Sequence, residues 1–175
     1  MLDSIELEFG SQLGVGGFAK VSSISAIKVP IEETTKPLLH SREYMAMQCI
    51  RTVGGPRYAI KRLSQETKSE RNRFEKGIAD IVVEARILAV IQHENIIKIR
   101  GFANCDYFDK NFFIVMERLQ ITLDNQITRW SNLSNQGCSL CCSSKNKTDI
   151  ESIEEDKIST SISIACAIEF LHSKK

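Results

Sequence analysis

The segment Leu13-Gly14-Val15-Gly16-Gly17-Phe18-Ala19-Lys20-Val21 packs three glycines into a turn between two stretches that read as strands. A glycine-rich turn exposes backbone N–H groups and lets the chain approach a phosphate closely. A hairpin that merely needs positive dihedrals would carry the same glycines for another reason, and the two readings stand side by side. Tyr58-Ala59-Ile60-Lys61 is the second group. Side chains alternate along a strand, so Ala59 and Lys61 share a face. The small residue leaves room for a flat ring, and the lysine can reach phosphates attached to it. A solvated strand lysine is the commoner fate of any single lysine. Glu84 is the third candidate. It lies three residues after Ile81 and four before Leu88, on the inward face of a helix. A carboxylate there needs a partner because an unpaired buried charge is costly, and Lys61 is the natural one. Taken singly, Glu84 would read as a helix-edge glutamate.

The elements that must position these residues follow from periodicity. Strands are expected at about 7–13, 18–29, 57–63, 97–103 and 112–117. Phe112-Phe113-Ile114-Val115-Met116 is a continuous apolar run, suited to a strand buried on both faces. A helix is expected at about 74–91, where Ile78, Ile81, Val82, Ala85, Leu88 and Ile91 recur at steps of three and four. Leu123, Ile127 and Trp130 suggest a helix at about 122–130 with Thr122 as its N-cap, and a last helix is expected at about 157–172. Two stretches read as insertions. Residues 30–56 hold all three prolines and Gly54-Gly55, with a helix across 39–50; residues 131–150 are polar and serine-rich, more linker than core.

Glycine turn, strand lysine and helix glutamate, in this order, resemble the amino-terminal lobe of the protein kinase family. The resemblance extends through Leu88-Ala-Val-Ile-Gln-His93-Glu94-Asn95-Ile96-Ile97, similar to the end of the large N-lobe helix and its turn into the fourth strand. Phe113-Ile114-Val115-Met116-Glu117-Arg118-Leu119 resembles the fifth strand and hinge. Ile164-Ala-Cys-Ala-Ile168-Glu-Phe170-Leu171-His172 resembles the helix that precedes the catalytic loop. The resemblance implies an α+β fold: a five-stranded antiparallel sheet with one large helix and a hinge over 1–119, interrupted at 30–56. The first two helices of a truncated helical lobe would follow over 120–175, interrupted at 131–150. It also implies ATP as ligand. Leu13, Gly14, Gly16, Gly17 and the turn to Val21 would cover its phosphates; Lys61 would bind the α- and β-phosphates while pairing with Glu84. Val21 and Ala59 would sandwich the adenine, Met116 would close the back of the pocket, and the backbone of Glu117 and Leu119 would meet the adenine edge. Leu88 and Ile99 would stack in the inner hydrophobic spine. Ala19 stands where the family's third glycine is usual, and the long step from Val21 to Lys61 is assigned to the 30–56 insertion.

The departure is at the other end. The family's His-Arg-Asp loop, the ligands for Mg²⁺ and the activation segment are not among these residues, so the expectation is a serine/threonine-type kinase part inactive alone. Such a part would bind ATP weakly or not at all and tend to aggregate. A non-catalytic, kinase-like binding or scaffold module is the competing expectation.

Composition narrows the remaining classes. Lys and Arg number 23 against 22 Asp and Glu, leaving no cationic excess to replace phosphate counterions, which argues against a nucleic-acid partner. No apolar run approaches the ~18 residues of a membrane span, and the start Met1-Leu2-Asp3-Ser4-Ile5-Glu6 is acidic where a secretory signal would be basic. Leu, Ile, Val and Phe make up 50 of the 175 residues, enough for a core. The six cysteines (49, 105, 138, 141, 142, 166) are irregularly spaced and read as reduced thiols of a cytoplasmic or nuclear protein. Cys138-x-x-Cys141-Cys142 lacks a second ligand pair at zinc-finger spacing and reads as part of a serine-rich loop. Lys68, Arg71, Arg73 and Lys76 alternate with Glu66, Glu70 and Glu75, the pattern of a solvated helix start.

Overall fold

A computed structural model describes residues 1–29, 37–135 and 147–174. The protein is α+β and divides into two units, Met1–Gln92 with Ile97–Arg118, and His93–Ile96 with Leu119–Lys175.

The first unit is built on a five-stranded antiparallel sheet. Its strands are β1 (Leu7–Val15), β2 (Ala19–Ile27), β5 (Tyr58–Leu63), β6 (Ile99–Phe102) and β7 (Phe113–Glu117), in the order β1-β2-β5-β7-β6. β7 lies between β5 and β6, so both its edges are paired, and the consecutive Phe113, Ile114 and Val115 are buried, on both its faces, as a continuous apolar run requires. Antiparallel register sets Val21 opposite Lys61 and Lys61 opposite Ile114, and likewise Ser23, Ala59 and Met116 in one row. Residues so paired share a face. Helix α3 (Arg71–Val90) packs on the face that carries Lys61 and buries Gly77, Ile78, Ile81, Val82 and Ala85. Each buried isoleucine contributes ~1.5–3 kcal/mol by leaving water.

Several elements differ from expectation. The charged stretch after β5 is not a simple helix start. It forms a separate short helix, α2 (Gln65–Ser69), because the Ser64 hydroxyl accepts the Thr67 N–H as an N-cap. The glycine cluster at 10, 14, 16 and 17 adopts no left-handed dihedrals; among the described residues only Gly54 and Gly55 have positive φ, +98° and +72°. Those two close the small hairpin of β3 (Ile50–Arg51) and β4 (Gly55–Pro56), which lies within the expected irregular insertion. The insertion's helix, α1, runs Pro37–Met47. The hairpin grips the end of β7: Arg51 donates to the Arg118 carbonyl at 3.2 Å, and Arg118 donates to the Gly54 carbonyl at 3.4 Å. The amino terminus also pairs with the sheet through Leu2, whose N–H donates to the Phe102 carbonyl at 2.8 Å.

The second unit contains α4 (Leu123–Asn135) and α5 (Lys147–His172). Thr122 caps α4, accepting the Asn125 N–H at 3.3 Å. α5 starts ten residues before the expected boundary, and α4 also runs into the stretch read as linker. Glu154, Glu155 and Asp156 interrupt the apolar spacing between Ile153 and Ile158, which hides the earlier turns of α5 in the sequence. Asp156 then ties α5 to α4, accepting from Trp130 Nε1 at 2.8 Å and Gln126 Nε2 at 2.9 Å. Residues 30–36, the start of the first expected insertion, and 136–146, the centre of the second, lie outside the described residues, as do Cys138, Cys141 and Cys142. No helix among the described residues is long and apolar enough to cross a membrane.

Candidate functional site

A cavity of about 430 Å³ opens between the β1–β2 turn, β5 and α3, lined by Gly14, Gly16, Gly17, Val21, Lys61 and Glu84 among others. Each side chain arrives there for a local reason. Lys61 is on the α3 face of β5, and its neighbour Ile60 is buried on the opposite face. Glu84 rises from α3 one turn beyond the buried Ile81 and one before Leu88. The two form an ion pair, Lys61 Nζ to Glu84 Oε2. Their side chains are 26% and 35% exposed, so the pair sits at the wall of the cavity, partly screened by water.

The glycine turn rims the cavity without needing glycine for its dihedrals. A Cβ on Gly14 or Gly17 would meet nothing within 4 Å. The missing side chains therefore leave open space at the rim, which favours close approach of a ligand over conformational need. The turn is held in place by its own Gly16 N–H, which donates to the Ala19 carbonyl at 2.7 Å. It is also tethered to α3: Arg73 Nη2 donates to the Gly17 carbonyl at 2.8 Å, and its guanidinium lies 6.0 Å from the centre of the Phe18 ring.

The other expected residues are more dispersed. Ala59 and Met116 are neighbours across β5 and β7 and are buried at 3% and 7% exposure, packed into the core instead of lining the cavity. Glu117 gives its N–H to the Lys98 carbonyl at 3.2 Å and its carboxylate to an ion pair with Arg100. Leu13 is an exposed β1 residue, and Leu119 is an exposed residue of the second unit. Leu88 and Ile99 are half-buried, with Ile99 against the core. Cavity residues without a sequence signal are Gly77, Asp80 and Phe18. Asp80 precedes Glu84 by one turn of α3, a spacing that could have disclosed its shared face; Gly77 reads from sequence only as a weak point in a helix.

Chemically, the arrangement offers one ammonium held by one carboxylate, an open glycine rim and a second, exposed carboxylate at Asp80. It can bind and orient an anionic group. Among the described residues no cluster of three or more His, Cys, Asp or Glu could hold a metal. Neither protein-family models nor curated proteins give a match to this chain.

Proposed function

We propose that the chain is the ATP-binding part of a serine/threonine-type protein kinase, which transfers a phosphoryl group from ATP to protein hydroxyls. The observation that carries this reading is the Lys61–Glu84 ion pair on the wall of a cavity rimmed by Gly14, Gly16 and Gly17. Phosphoryl transfer is mostly positioning and charge stabilisation, and this pair suits the positioning part. Glu84 holds the Lys61 ammonium in one place, so the lysine needs no reorganisation to meet phosphate oxygens. The open glycine rim gives those phosphates room against the backbone. A cavity of about 430 Å³ is of the size that small-molecule ligands occupy. Val21 at its edge offers apolar surface for the base on the sheet face that carries Lys61. Mg²⁺ would neutralise phosphate charge when bound; no step is assigned to it among these residues.

Lysine acylation read by mass spectrometry tests this reading. ATP is expected to protect Lys61 from an acylating reagent while leaving the half-buried Lys157 unchanged, and Glu84→Gln is expected to weaken that protection. Equal effects of ATP on Lys61 and Lys157 would overturn the reading. Incorporation of labelled phosphate from ATP, measured in parallel, separates a transferring enzyme from a binding module with the same pocket.

A further inference from the structure

Lys61 points to the cavity, so the next residue, Arg62, points to the opposite face of the sheet. There the register sets Lys20 of β2 directly across from Arg62 of β5. Like charges directly opposite on a sheet oppose each other, and a third cation comes to the same place. Lys68, on α2 immediately after β5, has its ammonium pushed below the ordinary lysine range, first by burial and then by the charges of Arg62 and Lys20. Among the described residues, no carboxylate lies within ion-pair distance of any of the three. One acid, Asp109, acts on Lys68 in the opposite direction, and its Oδ1 is engaged by the Asn111 N–H at 2.6 Å.

Arg62 is also held for recognition. Its guanidinium lies 4.1 Å from the centre of the Phe9 ring, which fixes the plane of the fork. Its Nε is buried and makes no hydrogen bond. With Nε enclosed, the guanidinium can meet a ligand only through its two Nη groups, beside the ammonium groups of Lys20 and Lys68, neither of which is in an ion pair among the described residues. An oxyanion accepting from the two Nη groups and the two ammonium groups would neutralise the cluster.

We propose that Lys20, Arg62 and Lys68 form an anion-binding site on the sheet face opposite α3, suited to a phosphoryl dianion. The ligand is either free phosphate or a phosphate monoester; tetrahedral oxygens and double charge are common to both. The site does not depend on the cavity around Lys61, which lies across the sheet.

The test titrates the full chain with sodium phosphate at constant ionic strength, following binding by calorimetry and melting temperature by scanning fluorimetry. Saturable binding that raises the melting temperature is expected, unmatched by chloride. Made in the Lys61→Met background, so that phosphate at the cavity does not contribute, Lys20→Gln and Lys68→Gln should each weaken it on the order of tenfold, the loss of one charge-assisted hydrogen bond. Arg62 stays in place because it packs on Phe9, so loss of fold cannot imitate loss of binding. O-phosphoserine binding more tightly than phosphate assigns a monoester; equal binding assigns the free ion. Undiminished phosphate binding when Lys20→Gln and Lys68→Gln are added to Lys61→Met, or binding abolished by Lys61→Met alone, overturns the proposal.

Discussion

Gly77 of α3 lies directly beneath Phe18 of the glycine turn: a Cβ on Gly77 would stand 2.9 Å from the Phe18 Cβ and 3.0 Å from both Leu63 Cδ2 and Thr67 Cγ2. The absence of a side chain at this one position lets the helix come close enough for Glu84 to reach Lys61. Gly77→Ala gains ~1 kcal/mol of helix propensity. It must also displace Leu63 and Thr67, which are buried at 1% and 0% exposure and cannot yield. Overpacking costs about 1–3 kcal/mol, so the net expectation is a loss of about 1 kcal/mol. Chemical denaturation would show it as a lower midpoint with unchanged slope; a raised midpoint would mean that the helix shifts freely.

The Lys61–Glu84 pair should matter far more to ligand than to fold. Because both side chains are partly exposed, the pair is worth no more than about 1 kcal/mol of stability. Glu84→Gln is therefore expected to move the melting temperature by only a few degrees, while on the proposed reading it weakens ATP binding about tenfold or more by freeing the lysine. Asp80→Asn should act oppositely. It removes an exposed negative charge from the cavity wall, and nucleotide affinity should rise by a few-fold at low salt and less at high salt. Isothermal titration of both variants at two ionic strengths separates these effects.

The amino terminus depends on a buried charge pair. Arg42 Nη1 lies 3.1 Å from Glu6 Oε1, and Glu6 is only 5% exposed. Arg42 Nε also donates to the Met1 carbonyl at 2.9 Å. Removing one partner of a buried pair strands the other charge, at about 3 kcal/mol. Arg42→Met should therefore destabilise the fold by roughly that amount, and Glu6→Gln added to it should recover part of the loss. A double-mutant cycle by urea unfolding measures the coupling.

Two thiols should be slow to react at neutral pH. Burial pushes up the pKa of Cys49, whose Sγ also donates to the Ile24 carbonyl at 3.5 Å. Cys105 is raised by burial first, then by the carboxylates of Asp109, Asp106 and Asp3. A raised thiol pKa means less thiolate at pH 7.5, so alkylation of Cys105 should trail a model cysteine and catch up only as pH rises. Asp106→Asn with Asp109→Asn keeps the turn's acceptor oxygens but removes two charges. It should speed Cys105 alkylation at pH 7.5 by roughly two- to threefold, read site by site by mass spectrometry.

Local pattern by itself determined the sheet strands, the large helix and the faces of them that carry Lys61 and Glu84. The alternation of Tyr58–Leu63 and the three-and-four spacing of Ile78, Ile81, Val82 and Ala85 are set by residues adjacent in the chain, and those periods fix which side chains turn inward. What needed the tertiary structure were relationships between distant segments. That Gly77 meets Phe18, that Arg73 reaches Gly17 and that Leu2 pairs beside Phe102 all depend on how separate elements pack. The glycine turn makes the distinction clearest. Its composition fits both a strained hairpin and an open rim, since glycine serves either purpose. Only the backbone dihedrals, none of them left-handed there, decide for the open rim. Likewise the charged stretch after β5 reads from sequence as a solvated helix start, whereas folding crowds Lys68 against Lys20 and Arg62. Periodicity carries information about one element's faces; it carries none about which surface of another element those faces will meet.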